Sequence, residues 1–170
     1  HLFSTYYFSE LLGGIGEAVH SAGYGLLLLF RNPSEVYDYV SLYRTQRVDA
    51  CIILGTSAMA TETESIHRLA DEGLPYCVMD QRFDHPGLSI VAADHERGSY
   101  EAVKHLIDRG HRRIGFLNGA AQYSNSWDRM TGYRKALADA GLPLDETIVY
   151  EGNYSRTSGL RAASRVYRDM

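Results

Sequence analysis

No stretch of this sequence is apolar over the ~18 residues that a membrane-spanning helix requires. The longest apolar run, "GLLLLF" at 25–30, suits a buried strand. An excess of positive charge is lacking too. The net charge is −4, so the chain as a whole is not built to neutralise a phosphate backbone. Cysteine is scarce. Cys51 and Cys77 both lie in apolar runs, "ACIILG" and "PYCVMD". They read as reduced core thiols, not as a disulfide or a metal site. Metal-ligand spacings are missing: there is no H-x-x-x-H, H-x-E or C-x-x-C, and His20, His67, His105 and His111 stand singly in or beside helices. No G-x-S-x-G elbow occurs, since "LGTSA" does not match it, and no G-x-x-x-x-G-K-[ST] phosphate loop occurs. Gly13, Gly14 and Gly16 fall inside a helical pattern rather than after a strand, so they make no dinucleotide fingerprint. The opening "HLFSTYYFSELL" has no basic segment leading into an apolar one, as a signal peptide would. It also lacks an initiating Met, which places the expected start upstream.

What is present is an alternation of two periods. "GLLLLF" (25–30), "ACIILGT" (50–56), "PYCVMD" (75–80), "LSIVAAD" (88–94) and "RIGFLNG" (113–119) are short apolar runs bounded by turn residues, with "TIVYEG" (147–152) a weaker sixth. They predict buried parallel strands. Between them lie helical patterns at about 9–22, 33–46, 61–72, 95–109 and 126–140, and from about 155 onward. The first puts Leu11, Leu12, Ile15 and Val19 on one face. The second has Asn32 as N-cap, Pro33 at the first helical position and Glu35 completing a capping box. Thr61 and Glu64 form a second box. Asp94 caps the fourth helix, which turns Ala102, Val103, Leu106 and Ile107 inward. Such alternation is an α/β fold with parallel sheets. The polar loop "DQRFDHPGLSI" (80–90) and the strand leading straight into a fresh helix set a boundary near Ala93–Asp94. The expected units are an N-terminal lobe, 1–93, and part of a second lobe, 94–170. In a doubly wound sheet the first strand is usually central, yet the chain opens on a loop and helix and ends on a helix. The expectation is a piece of a larger protein, with the first lobe compromised by its missing central strand.

Ligands in open α/β sheets sit beyond the carboxyl ends of the strands. Residues following strands are Arg31 and Asn32; Thr56 and Ser57; Asp80, Gln81 and Arg82; and Asn118 and Gly119 with the loop "AAQYSNSWDR". This polar inventory, with the aromatic "YYF" (Tyr6, Tyr7, Phe8) ahead of a helix, suits a sugar or a purine. On residue type, Asp80 fits two roles equally, a turn or cap former and a ligand contact. Tyr7 and Phe8, on aromatic identity alone, read as packing residues. The basic cluster in "GHRRIGFLNGAAQYSNSWDRMTGYRKAL" divides by the same rule. His111, Arg112 and Arg113 lie at the amino end of a strand and cap a helix or face solvent. Arg134 and Lys135 are solvated. Arg129, after Tyr123 and Asn125, lies beyond a strand's carboxyl end, and its positive charge in a helix's first turn runs against the dipole.

"RVDACIILGT", "GLPYCVMD", "IVAADHERGSYEAVKHLIDRGHRRIGFLNG" and "DRMTGYRKALADAGLPLDETIVYEGNYSRTSG" together resemble the ligand-binding core of the lactose/galactose repressor (LacI/GalR) family. The most specific parts are "GHRRIGFLNG" and the R-x-x-G-Y-x-x-A-L pattern that begins at Arg129. The resemblance implies two Rossmann-like lobes of the periplasmic-binding-protein type I, incomplete in this chain, with a small-molecule effector between them. It implies a cytoplasmic homodimer that binds operator DNA through a helix-turn-helix domain this sequence does not include. By position it carries ligand contacts onto Tyr7, Phe8, Asp80, Gln81, Tyr123, Asn125 and Arg129, with Asp94 structural at the crossover. It implies no cofactor and no metal. The later strand ends that supply an aromatic and an acidic contact in the family are expected beyond Arg168. A periplasmic sugar-binding protein of a transporter is the alternative, decided by a signal peptide upstream. An α/β enzyme such as a sugar hydrolase is a third reading, against which stands the lack of a nucleophile–base pair.

Overall fold

A computed structural model of the protein describes residues 6–30, 37–56 and 60–169. The elements alternate as α1 (Tyr6–Ser21), α2 (Tyr39–Arg44), β1 (Cys51–Ile53), α3 (Ala60–Asp71), β2 (Tyr76–Met79), β3 (Ile90–Val91), α4 (His95–Asp108), β4 (Phe116–Asn118), α5 (Ser124–Asp139), a 3₁₀ turn at Glu146–Ile148, β5 (Val149–Glu151) and α6 (Arg156–Asp169). The strands form two parallel sheets, β1-β2-β3 and β4-β5. Ile52 sits opposite Cys77, Val78 opposite Ile90, and Leu117 opposite Tyr150. The apolar cores follow the sheets. One gathers Tyr39, Val40, Ile53, Ile66, Leu69 and Val78. Another gathers Val103, Ile107, Ile114, Tyr133, Ala136 and Leu137. A third joins Ile148 and Tyr150 to Ala162 of α6. Cys51 and Cys77 are free thiols in β1 and β2, and burial pushes both up from the ordinary thiol value.

Four expectations change. "GLLLLF" is not a strand: residues 24–30 are irregular and exposed, Leu26 at 52% and Phe30 at 68%. Apolar composition records a tendency to be buried. A strand also needs neighbours to take its N–H and C=O groups, and no described strand pairs with this run. The helix expected at 33–46 is described only as α2, capped by Asp38, which accepts from the Ser41 N–H at 3.4 Å. Asn32, Pro33 and Glu35 lie outside the described residues. Thr61 is inside the first turn of α3 rather than its cap, its carbonyl accepting from Ser65 Oγ at 3.0 Å. On α4 the Asp94 cap forms as expected, accepting from the Arg97 N–H at 3.0 Å. Val103 and Ile107 are buried, but Ala102 and Leu106 are exposed.

The reason for that last shift is the α4–α5 crossing. Gly132 of α5 comes so close to α4 that a Cβ there would stand 2.1 Å from the Glu96 carbonyl oxygen. Ser99 Oγ donates to the Arg129 carbonyl at 2.6 Å. The contact face of α4 is therefore 96, 99, 100, 103 and 107, with i+3 and i+4 spacing, and Ala102 and Leu106 turn outward. Beneath the crossing Tyr133 is fully buried and stacks on Phe116 at 4.7 Å. Its hydroxyl donates to the Ile114 carbonyl at 2.9 Å. Tyr133→Phe is expected to cost about 1–3 kcal/mol by leaving that carbonyl unpaired, read by urea unfolding. An unchanged midpoint would mean that water replaces the hydroxyl.

Candidate functional site

Asp80 ends β2 in a left-handed conformation, φ 60°. A non-glycine residue there is uncommon, and such backbone is concentrated at functional sites. Three described non-glycine residues have positive φ: Gln46, Asp80 and Tyr154. Gln46 follows a helix end, whereas Asp80 and Tyr154 belong to one polar cluster.

The cluster is built from five segments. Asp80 Oδ1 bonds His95 Nε2 at 2.5 Å, and Asn125 Nδ2 donates to Asp80 Oδ2 at 3.1 Å. Arg129 Nη2 faces His95 Nδ1 at 3.2 Å, and its Nη1 donates to the Tyr154 hydroxyl at 3.2 Å. That hydroxyl donates to Asn125 Oδ1 at 3.1 Å and shares a hydrogen bond with Ser126 Oγ at 2.8 Å. The Tyr123 ring meets the Tyr154 ring edge-on at 5.8 Å. From α1, Tyr7 reaches the same group. Its phenol is pushed above the ordinary tyrosine value by burial and then by the Asp80 carboxylate to which it hydrogen-bonds, with Arg129 opposing. Phe8 lies edge-on to Tyr7 at 5.4 Å. The structure thus brings Tyr7, Asp80, Tyr123, Asn125 and Arg129 together, with Phe8 beside them.

Gln81 has a different place. It is buried, and its Oε1 accepts from both the backbone N–H and the hydroxyl of Ser124, at 2.9 and 3.1 Å. The N-cap of α5, Tyr123, supplies no side-chain bond to the helix. Gln81 satisfies that open donor from 43 residues away. It ties the end of β2 to the start of α5 and so fixes Asp80 against Asn125 and Arg129. The Arg82 N–H donates to Ser124 Oγ at 2.8 Å, and its guanidinium pairs with Asp128.

Sequence reasoning missed His95 and Tyr154. Both follow strands, β3 and β5, and so lie where the strand-end rule points. The tight seat of Tyr154 is also visible in Gly119, where a Cβ would stand 2.0 Å from the Tyr154 hydroxyl. Tyr154 brings an aromatic ring to the cluster from within this chain. The remaining basic residues stay apart. Arg112 Nη1 donates to the Ile107 carbonyl at 3.5 Å, at the end of α4. Arg113, Arg134 and Lys135 pair with Asp145, Glu146 and Asp139. An open concavity of about 700 Å³ touches the cluster at His95 but is lined mainly by the crossover residues 92–97 with Arg82, Asp128 and Lys135. The ligand residues expected from the sequence do not line it, so hydrogen bonding, not cavity size, marks the site. Among the described residues no three metal-binding side chains converge, and no helix is long and apolar enough to cross a membrane.

Residues 3–169 match the family described as periplasmic binding proteins and sugar binding domain of LacI family. The chain belongs to this family. The HTH-type transcriptional repressor PurR of Photobacterium profundum is 30% identical over 94% of this chain and 48% of its own length. The HTH-type transcriptional regulator DegA of Bacillus subtilis is 27% identical over 96% of this chain and 49% of its own. The chain spans about half the length of these curated relatives. Among solved structures, a sugar-binding LacI-family regulator of Escherichia coli, complexed with phosphate, superposes with a TM-score of 0.79 at 28% identity, covering 99% of this chain and 60% of that one. The regulator CelR in complex with cellobiose gives 0.80 at 27% identity, covering 98% and 51%. The family fold is the two-lobed, parallel-sheet architecture expected from the sequence, of which this chain covers part.

Proposed function

We propose that the chain is the effector-sensing part of a LacI-type transcriptional regulator and binds a small polar ligand, a sugar, at the Asp80–Arg129 cluster. Residues 1–93 and 94–170 are the two lobes, or parts of them, on either side of the site. The observation that carries this reading is the convergence on His95 of a carboxylate from the end of β2 and a guanidinium from α5, beside aromatic rings from α1 and the β5 loop. Asp80 accepts from ligand hydroxyls, Arg129 gives charge-assisted bonds, and Tyr7, Phe8, Tyr123 and Tyr154 cover apolar faces. Asn125 orients the carboxylate, and Gln81 holds the two segments in register from behind. This is an inventory for recognition, and the function proposed is binding without turnover. Occupancy biases the relative arrangement of the lobes, and a homodimer in the cytoplasm passes that bias to operator DNA through a helix-turn-helix domain. A ligand can shift such an equilibrium only by its differential affinity for the two states. The regulator relatives favour this reading over a transporter's binding protein.

A thermal-shift screen of sugars and nucleosides on the full-length protein tests it. A ligand at about 100 times its Kd should add about 2.7 kcal/mol of stability. Silence across the panel would count against the reading, and turnover of any member would replace it with an enzyme.

A further inference from the structure

We propose that His95 is the positioning residue of this site: as a neutral imidazole with its proton on Nε2, it holds the Arg129 guanidinium in register with the Asp80 carboxylate. The proposal deepens the effector reading and rests on it for the consequence to binding, but the state of the ring follows from its neighbours alone. An ionised carboxylate only accepts, so the Nε2 at 2.5 Å from Asp80 carries a hydrogen. A guanidinium only donates, so the Nδ1 at 3.2 Å from Arg129 presents a bare lone pair. The side chain is largely buried, 12% exposed, and heads α4 directly after its Asp94 cap. The helix start thus fixes the ring, and the ring fixes the two ligand groups that approach it from β2 and α5.

The charges around it decide what protonation does. Asp80 faces the ring from the end of β2 and Arg129 from α5, and the Tyr7 hydroxyl of α1 hydrogen-bonds to Asp80. Asp94, Glu96 and the Arg82–Asp128 pair line the concavity beside it. A proton on Nδ1 sets a donor and a positive charge against Arg129, while the contact with Asp80 becomes an ion pair. A ring protonated on both nitrogens therefore cannot hold Arg129, whose remaining bond is to the Tyr154 hydroxyl. A carboxamide in place of the ring can donate to Asp80 and accept from Arg129 without titrating.

The test is long-range ¹H–¹⁵N correlation of the histidine rings in the full chain, followed from about pH 8 to about pH 5, the interval in which imidazoles titrate. The expected result is an Nε2–H tautomer for His95 at the alkaline end. That preference should weaken in Asp80→Asn and in Arg129→Leu, because each substitution removes one of the two partners that fix the proton on Nε2. His95→Gln should preserve the melting temperature, and His95→Leu should lower it by about 2–4 °C or more. An Nδ1–H tautomer in the unsubstituted protein, or a tautomer unmoved by both substitutions, would overturn the proposal. No ligand is used, so a failed effector screen leaves this result standing. A correct tautomer without any ligand would sink only the effector reading.

Discussion

Gly132→Ala is expected to lower the stability of the protein by about 3 kcal/mol, a fall in Tm of about 6–12 °C for a chain of this size. The new Cβ would stand 2.1 Å from the Glu96 carbonyl oxygen and 2.8 Å from the Tyr100 amide nitrogen. Both are backbone atoms of α4, so no rotamer change relieves the overlap and the helices must separate. Separation opens the contact beneath which Tyr133, Val103 and Ile107 pack. It also stretches the Ser99–Arg129 hydrogen bond that sets the height of Arg129 along α5. The variant should therefore lose ligand affinity along with stability, whereas Gly159→Ala, within α6 and with nothing outside its own helix within 4 Å of the added Cβ, should leave affinity unchanged and raise stability by about 0.5–1 kcal/mol, as alanine does in a helix. Thermal unfolding followed by circular dichroism checks this. A Gly132→Ala protein that melts within a degree of the parent would mean that α4 and α5 do not cross as described.

Arg129→Ala is expected to weaken effector binding about 100-fold while leaving the fold intact. Hydrogen bonds to a charged group contribute about 1.5–3 kcal/mol, and each 1.4 kcal/mol is tenfold in affinity. Arg129 is the guanidinium of the cluster that touches both His95 and Tyr154, and it lies 6.0 Å from the Tyr154 ring centroid. Its removal leaves His95 Nδ1 and the Tyr154 hydroxyl without this donor. Calorimetry of the full-length protein with a ligand found by the screen reads the effect. Unchanged affinity would take Arg129 out of the site.

The two predictions mark what could be read from residues alone. Five of the six apolar runs became strands because each found a parallel neighbour, and "GLLLLF" did not because composition says nothing of partners. The meeting of Asp80 and Arg129 around His95 was legible through a rule about position: residues past the carboxyl ends of parallel strands gather at one edge of the sheet. His95 and Tyr154 obey the same rule, after β3 and β5. Gln81 was legible as a polar residue in the right loop, not as the cap of a helix 43 residues on, because a cap made across the fold leaves no local pattern. The outward turn of Ala102 and Leu106 was hidden for a related reason. Helical periodicity gives a face, and the glycine that selects which face lies on another helix.

A crystal structure of the full-length protein with the ligand that most raises its melting temperature tests the central claim most directly. The account predicts the ligand beyond the ends of β2 and β4, with a hydroxyl on Asp80, an oxygen on Arg129 and a ring face on Tyr7 or Tyr154. A ligand bound elsewhere, with the Asp80–His95–Arg129 bridge untouched, would contradict it.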